Sequence, residues 1–246
     1  MAQTGHGRIC LFEDFFAEDN IANTAQHRSL GQFSVAGQGA AEADSGIPTL
    51  SADAISGVGV MTTTDEANHT ILIGTPVAFD VGLMGTIVAE ARVRFVDFST
   101  KEVFFGFTDI DPNTLSLEVD VLTGATTTMT LTASDICGLY LSAELTNGDG
   151  WHTVYNGGTT TGETDSTAID CSDDAVAGEW QMLRLELFPN GTVSYYIDGV
   201  LIRTVTGAVS TSTDLSLILA LEAKTASIEI MHVDYLMVEA NRDWTV

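Results

Sequence analysis

The side chains with the clearest capacity for chemistry are carboxylates. Glu118 and Asp120 lie two apart in the stretch Leu-Ser-Leu-Glu-Val-Asp-Val (115–121), where apolar and polar residues alternate. On a strand, that spacing puts both acids on one face. Two carboxyls about 5 Å apart across a sugar bond are what a retaining glycosidase needs. Solvent-facing acids on a half-buried strand make the same pattern, and that is the expectation here. Asp109, Asp111 and Asn113 offer three oxygen side chains at alternate positions, as calcium loops do. But Pro112 interrupts them, Thr114 stands where the loop needs glycine, and Asp120 holds the twelfth position in place of glutamate. A turn between strands explains this stretch, and Asp170, Asp173 and Asp174 read as another acidic loop.

Nucleophilic chemistry has less to build on. There is no Gly-x-Ser-x-Gly elbow. The five histidines, His6, His27, His69, His152 and His232, are scattered with no His-Glu-x-x-His spacing. Phosphate-cradling glycine loops are missing too. Trp151 beside His152 suggests a sugar platform, but a tryptophan at the start of such a strand is expected in the core. Cys10, Cys137 and Cys171 are far apart and lack Cys-x-x-Cys spacing, so three reduced thiols are expected. No catalytic residue, metal ligand or cofactor site is expected.

Nine Lys plus Arg against 34 Asp plus Glu give a formal charge of −25. That opposes binding to nucleic acid or to anionic membranes, where clustered cations must neutralise phosphates. No apolar run follows Met1, so secretion is not expected. No run reaches the roughly 18 apolar residues of a membrane span.

The elements that must position these residues are strands. Residues 179–207 hold three strand-like runs. Met182, Arg184, Glu186 and Phe188 alternate with Leu183, Leu185 and Leu187, so one face is buried and the other wet. Asn190-Gly191 and Asp198-Gly199 each predict a type I′ turn. The result is an antiparallel meander. Further strands are predicted at 9–16, 33–35, 58–62, 70–73, 86–96, 101–107, 115–121, 127–132, 138–143, 151–155, 215–222 and 228–239. Residues 1–8 read as a loose terminus. Residues 17–31 read as loop or helical turn. The Gly/Ala/Ser-rich segment 37–59 reads as a long loop or thin strands, with interaction as its expected role. There is no linker and no internal repeat, so 1–246 is read as one all-β domain.

The segment WQMLRLELFPNGTVSYYIDGVLIRTV, with its Trp-led strand and Tyr195-Tyr196-Ile197-Asp198-Gly199 turn, resembles the late strands of concanavalin A-like (lectin/glucanase, laminin-G-like) jelly rolls. The resemblance implies a sandwich of two antiparallel sheets in which an early Phe-Glu-Asp-Phe-Phe strand pairs with the late strand Ile-Glu-Ile-Met-His-Val-Asp-Tyr. The glucanases of that family carry Glu-x-Asp-x-x-Glu on one strand. Glu118 and Asp120 match its first two acids, but Thr123 stands at the third, where a hydroxyl cannot serve as general acid. The whole pattern, with its Thr- and Gly-rich body and Asn241-Arg242-Asp243-Trp244 end, also resembles lectin-like virion proteins of tailed bacteriophages. That implies a non-enzymatic virion protein assembled in a host cytoplasm and decorating the capsid. Its partners would be the major capsid protein and copies of itself, as dimer or trimer. The alternative is a carbohydrate-binding, lectin-like module, calcium-assisted, that takes host-surface glycans.

Overall fold

The computed structural model describes residues 7–16, 28–41, 49–50 and 57–243. Among these the regular secondary structure is nearly all strand. The first ten strands are β1 (Arg8–Glu13), β2 (Arg28–Leu30), β3 (Phe33–Ala36), β4 (Thr49–Leu50), β5 (Gly59–Thr62), β6 (Ile71–Gly74), β7 (Phe79–Asp80), β8 (Ile87–Phe95), β9 (Lys101–Thr108) and β10 (Leu122–Ala125). The remainder are β11 (Thr128–Leu131), β12 (Ile136–Ser142), β13 (Gly150–Asn156), β14 (Asp170–Asp174), β15 (Trp180–Leu187), β16 (Val193–Ile197), β17 (Val200–Val205), β18 (Asp214–Ala223) and β19 (Ile230–Asn241).

Two antiparallel sheets carry the fold. The first runs β17-β16-β15-β8-β19-β5-β4, with β1 also on β19. The second runs β14-β13-β12-β9-β18-β6-β3-β2, with β7 on β18. β10 and β11 form a separate hairpin. First and last strands pair as expected, with Arg8 opposite Asn241 and Glu13 opposite Leu236.

The meander at β15–β17 is present, and its buried and half-buried positions alternate along β15. Asp198 and Gly199 both take positive φ, as a type I′ turn requires. The other turn differs from expectation. Only Gly191 has positive φ, and its N–H donates to the Phe188 carbonyl at 2.9 Å. Pro189 explains this: its fixed φ suits the first central position of a type I turn, and Gly191 then supplies the left-handed residue that closes the bulged hairpin.

Between the sheets lies a core of Ile87, Ala89, Ala91, Val93, Leu183, Leu185 and Val238 from one side and Val103, Phe105, Leu139, Leu219 and Trp151 from the other, all buried. The Trp151 ring lies 6.0 Å from that of Phe95 across this layer, and its indole N–H donates to Gln181 at 2.9 Å. Trp151 is thus a core residue.

The two sheets are finished differently. In the first, outward positions of β8, β15 and β19 are half-buried or exposed. In the second, β9 and β12 are buried at every position. Their inward residues face the core, and their outward residues are covered by the chain itself, at 109–135. This segment corrects the expectation of a strand at 115–121. Leu117–Val121 is a π-helical turn, closed by the Leu122 N–H on the Leu117 carbonyl. Ser116 caps it by accepting the Val119 N–H at 3.4 Å, and Asp120 reaches back to accept the Ser116 N–H at 2.9 Å. Leu117 and Val121 turn down onto the sheet, whereas Val119 stands 63% exposed. An alternating pattern made by a helical turn is the physical reason the strand reading fails.

β3 falls where a strand at 33–35 is predicted. Of the segment 37–59, residues 38–41 form a 3₁₀ turn and β4 pairs with β5; the rest of its stretch before Gly57 lies outside the described residues. So do residues 17–27 of the predicted loop or helical turn at 17–31, most of the predicted loose terminus and Trp244; the end of that predicted loop is instead strand β2, paired with β3.

Candidate functional site

Beneath the 109–135 segment lies a row of polar side chains crossing four strands. Glu102 on β9 stands directly opposite Glu222 on β18 and opposite Ser142 on β12. Thr70, just before β6, donates to Glu222. Both glutamates are fully buried. Glu222 also accepts the backbone N–H of Leu117 at 2.8 Å and of Glu118 at 3.2 Å, so it holds the π-helical turn onto the sheet. Glu102 accepts from the Tyr140 hydroxyl and, at 3.1 Å, from Ser142; its second oxygen has no hydrogen-bond partner among the described residues.

The balancing cation is Lys224, whose side chain is 4% exposed. Its ammonium lies 2.7 Å from Glu118, 3.4 Å from Glu144 and 3.5 Å from Glu102. Burial pushes the Glu102 carboxyl up to about 7 against the pull of Lys224. Burial likewise raises Glu222, despite the donors from Thr70, Leu117 and Glu118. For Lys224, burial would lower the pKa, but Glu102, Glu118 and Glu144 together hold it above its ordinary value.

Glu118 and Asp120, the acids singled out from spacing, are thus committed to structure, one to Lys224 and one to the Ser116 N–H. The true facing pair is Glu102 and Glu222, which spacing does not reveal. One signal was available: both stand at the ends of apolar runs, Val-Phe-Phe-Gly-Phe and Leu-Ser-Leu-Ile-Leu-Ala-Leu, that continue where a half-wet strand would alternate.

Other named residues settle elsewhere. Asp111 accepts the Asn113 N–H at 3.0 Å, starting a 3₁₀ turn, and Asp109 accepts the Asp135 N–H at 3.2 Å. Asp170 and Asp174 both take N–H donors from Asn147, while Asp173 accepts from Gln181. Among the described residues no group of three His, Cys, Asp or Glu side chains is placed to hold a metal. His152 is buried next to this region, and burial lowers its pKa. The three cysteines are unbridged, and burial pushes the Cys171 thiol up to about 12.

The open surface is the outward face of the first sheet. Near one end of its strands the Trp180 ring carries two guanidinium groups, Arg94 at 4.7 Å and Arg92 at 5.0 Å from its centroid. Arg92 also meets Asp234 at 2.6 Å, and Arg94 donates to His232 at 2.5 Å. Burial first, then Arg94, lowers the His232 pKa, so the ring accepts as a neutral imidazole. A bulge at Val233–Tyr235 turns both Asp234 and Tyr235 outward. Tyr235 donates to Glu90 at 2.6 Å and stacks on Phe12, with ring centroids 6.0 Å apart. Arg184 bridges Glu90 and Glu186, and Tyr196 donates to Glu186.

At one end of the sandwich, Gly157, Gly158, Asn190, Gly207, Ser210 and Thr211 line a cavity of about 260 Å³.

No protein-family model and no curated protein matches the chain. Solved structures do. Peanut lectin superposes with a TM-score of 0.57 at 9% identity, covering 95% of this chain and 97% of that one. The fold is a lectin-like, concanavalin A-like jelly-roll sandwich. The carbohydrate recognition domain of Emp47p gives 0.54 at 13% identity, over 87% of this chain and 90% of its own. A carbohydrate esterase from the Shiga toxin-encoding bacteriophage phi24B gives 0.50 at 14% identity, over 86% and 91%. Within the lectin-like sandwich of this chain, the outward side of the second sheet is filled and that of the first is open. Among the described residues no helix is long and apolar enough to cross a membrane.

Proposed function

We propose that the chain is a non-enzymatic structural protein of a tailed-bacteriophage virion, seated on the head and decorating the major capsid protein. The observation that carries this reading is the filled outward side of the second sheet. Segment 109–135 occupies it, and Glu222 and Lys224 spend their polar groups holding that segment down. The broad surface left over is one for contact, not for enclosing a substrate. The charge of −25 suits an exposed shell that stays soluble. The phage protein among the structural neighbours is compatible with this source and, at its low identity, speaks for fold alone. Purified particles should contain the chain at a fixed ratio to the major capsid protein, read by quantitative mass spectrometry. Its absence from particles that are otherwise complete would sink the proposal.

A second reading, carbohydrate binding, is favoured by the end cavity. Backbone groups at three glycines and the side chains of Asn190, Ser210 and Thr211 give it polar walls of a size that fits one sugar ring. On this reading a glycan array returns hits that Thr211→Trp, which fills the cavity, abolishes while the circular dichroism spectrum stays the same. A blank array with folded wild-type chain counts against it.

A further inference from the structure

We propose that the open face of the first sheet is the seat of a second copy of this chain, packed face to face about a two-fold axis. Arg8, Arg92, Arg94 and Arg184 stand on this face against Glu239, Asp234, Glu90 and Glu186, so its formal charge is zero in a chain of −25. Two such bodies repel one another over most of their surfaces, and this neutral face lets them approach without placing like charges in contact. A basic partner would find no net negative charge to neutralise here.

Composition points the same way. Trp180, Tyr235, Tyr196 and Phe12 stand among arginines, the residue types that dominate the buried centres of protein interfaces. Arg8, Arg92 and Arg184 already hold carboxylates within one copy, and Arg94 lies on the Trp180 ring with His232 as its acceptor, so docking has few bare polar groups to bury. The extent is adequate too. Six strand columns, from β17 to the column shared by β1 and β5, span about 24 Å at the usual strand spacing, and eight residues span about 27 Å. The resulting plane of roughly 650 Å² is close to the 800 Å² or so per partner of a stable interface, before side-chain relief is added. A self-complementary patch on one face closes as a dimer and leaves nothing to propagate.

This inference stands apart from the virion reading, and its test uses the isolated full chain. Sedimentation velocity from 1 to 100 µM should show a monomer–dimer equilibrium. Raising NaCl from 0.1 to 0.5 M should tighten it, because salt screens the repulsion between the two acidic bodies while the neutral contact loses little. Trp180→Glu places a new negative charge among the aromatic and arginine side chains of each face and should weaken dimerisation about thirtyfold, with the circular dichroism spectrum unchanged. Arg92→Glu is the second variant, should the first fail to fold. A chain monomeric at every concentration overturns the proposal, as does a dimer indifferent to both substitutions. A monomeric chain that binds particles through Trp180 also overturns it, since the face would then belong to a different partner.

Discussion

Lys224→Met is expected to destabilise the fold by about 3 to 5 kcal/mol at pH 8, the range for breaking a buried ion pair by removing one partner. Lys224 is 4% exposed and faces Glu102, Glu118 and Glu144. Glu118 and Glu144 have water to turn to, at 31% and 47% exposure. Glu102, at 0%, has none, so most of the cost falls on this one carboxylate. Its remedy is a proton. At pH 5 the variant's Glu102 is neutral in the folded state, and the deficit should shrink to the loss of the Glu118 contact, measured by urea unfolding at both pH values. The double substitution Lys224→Met/Glu102→Gln should recover most of the pH 8 loss, because no ionised carboxylate remains stranded beside the missing ammonium. A deficit equal at pH 5 and pH 8, or unrelieved in the double variant, would show that Lys224 acts through packing of its stem and not through charge.

How much of this was legible in the sequence depends on where the information sits. β15 reads cleanly because Leu183, Leu185 and Leu187 face the core while Arg184 and Glu186 face water, and period two is a property of the strand alone. β9 and β12 are also readable as strands, and their failure to alternate announces burial on both sides, but not by what. The cover proved to be 109–135, whose own pattern misleads. Leu117 and Val121 lie four apart and belong to a helical turn, while Leu115, Val119 and the polar residues between them complete a false alternation. The pairing of Glu102 with Glu222 is set by the register of β9 on β18, which no local pattern encodes. The same holds for the Arg92–Trp180–Arg94 stack. Alternation puts each of these residues on a wet face, but only the register of β15 on β8, with Trp180 opposite Arg94, makes one surface of them. Elements are local and sites are made by register, so the fold was the more readable of the two.

The unpartnered oxygen of Glu102 leads to the remaining large effect, a fall in stability on going from acid to neutral pH. Burial raises this carboxyl from the ordinary 4.5 to about 7 in the folded chain. Between those values the folded state holds a proton that the unfolded state has given up, so stability decreases as pH rises. The contribution is fully present below pH 4.5 and lost as pH passes 7, a total of about 3 kcal/mol for one site. The 34 acidic residues add a general decline in the same direction through self-repulsion, so the wild-type profile by itself does not isolate the site. Glu102→Gln does. Its amide oxygen can still accept from Tyr140 and Ser142, and it never ionises. The two proteins should have nearly equal stability at pH 4, and the variant should gain steadily between pH 5 and pH 7.5, ending more stable than the wild type. The difference in unfolding free energy, measured by urea titration at several pH values, carries the result. A difference that stays flat across this range would mean that Glu102 keeps its ordinary titration and that the proton sits elsewhere in the row, with Glu222 the first place to look.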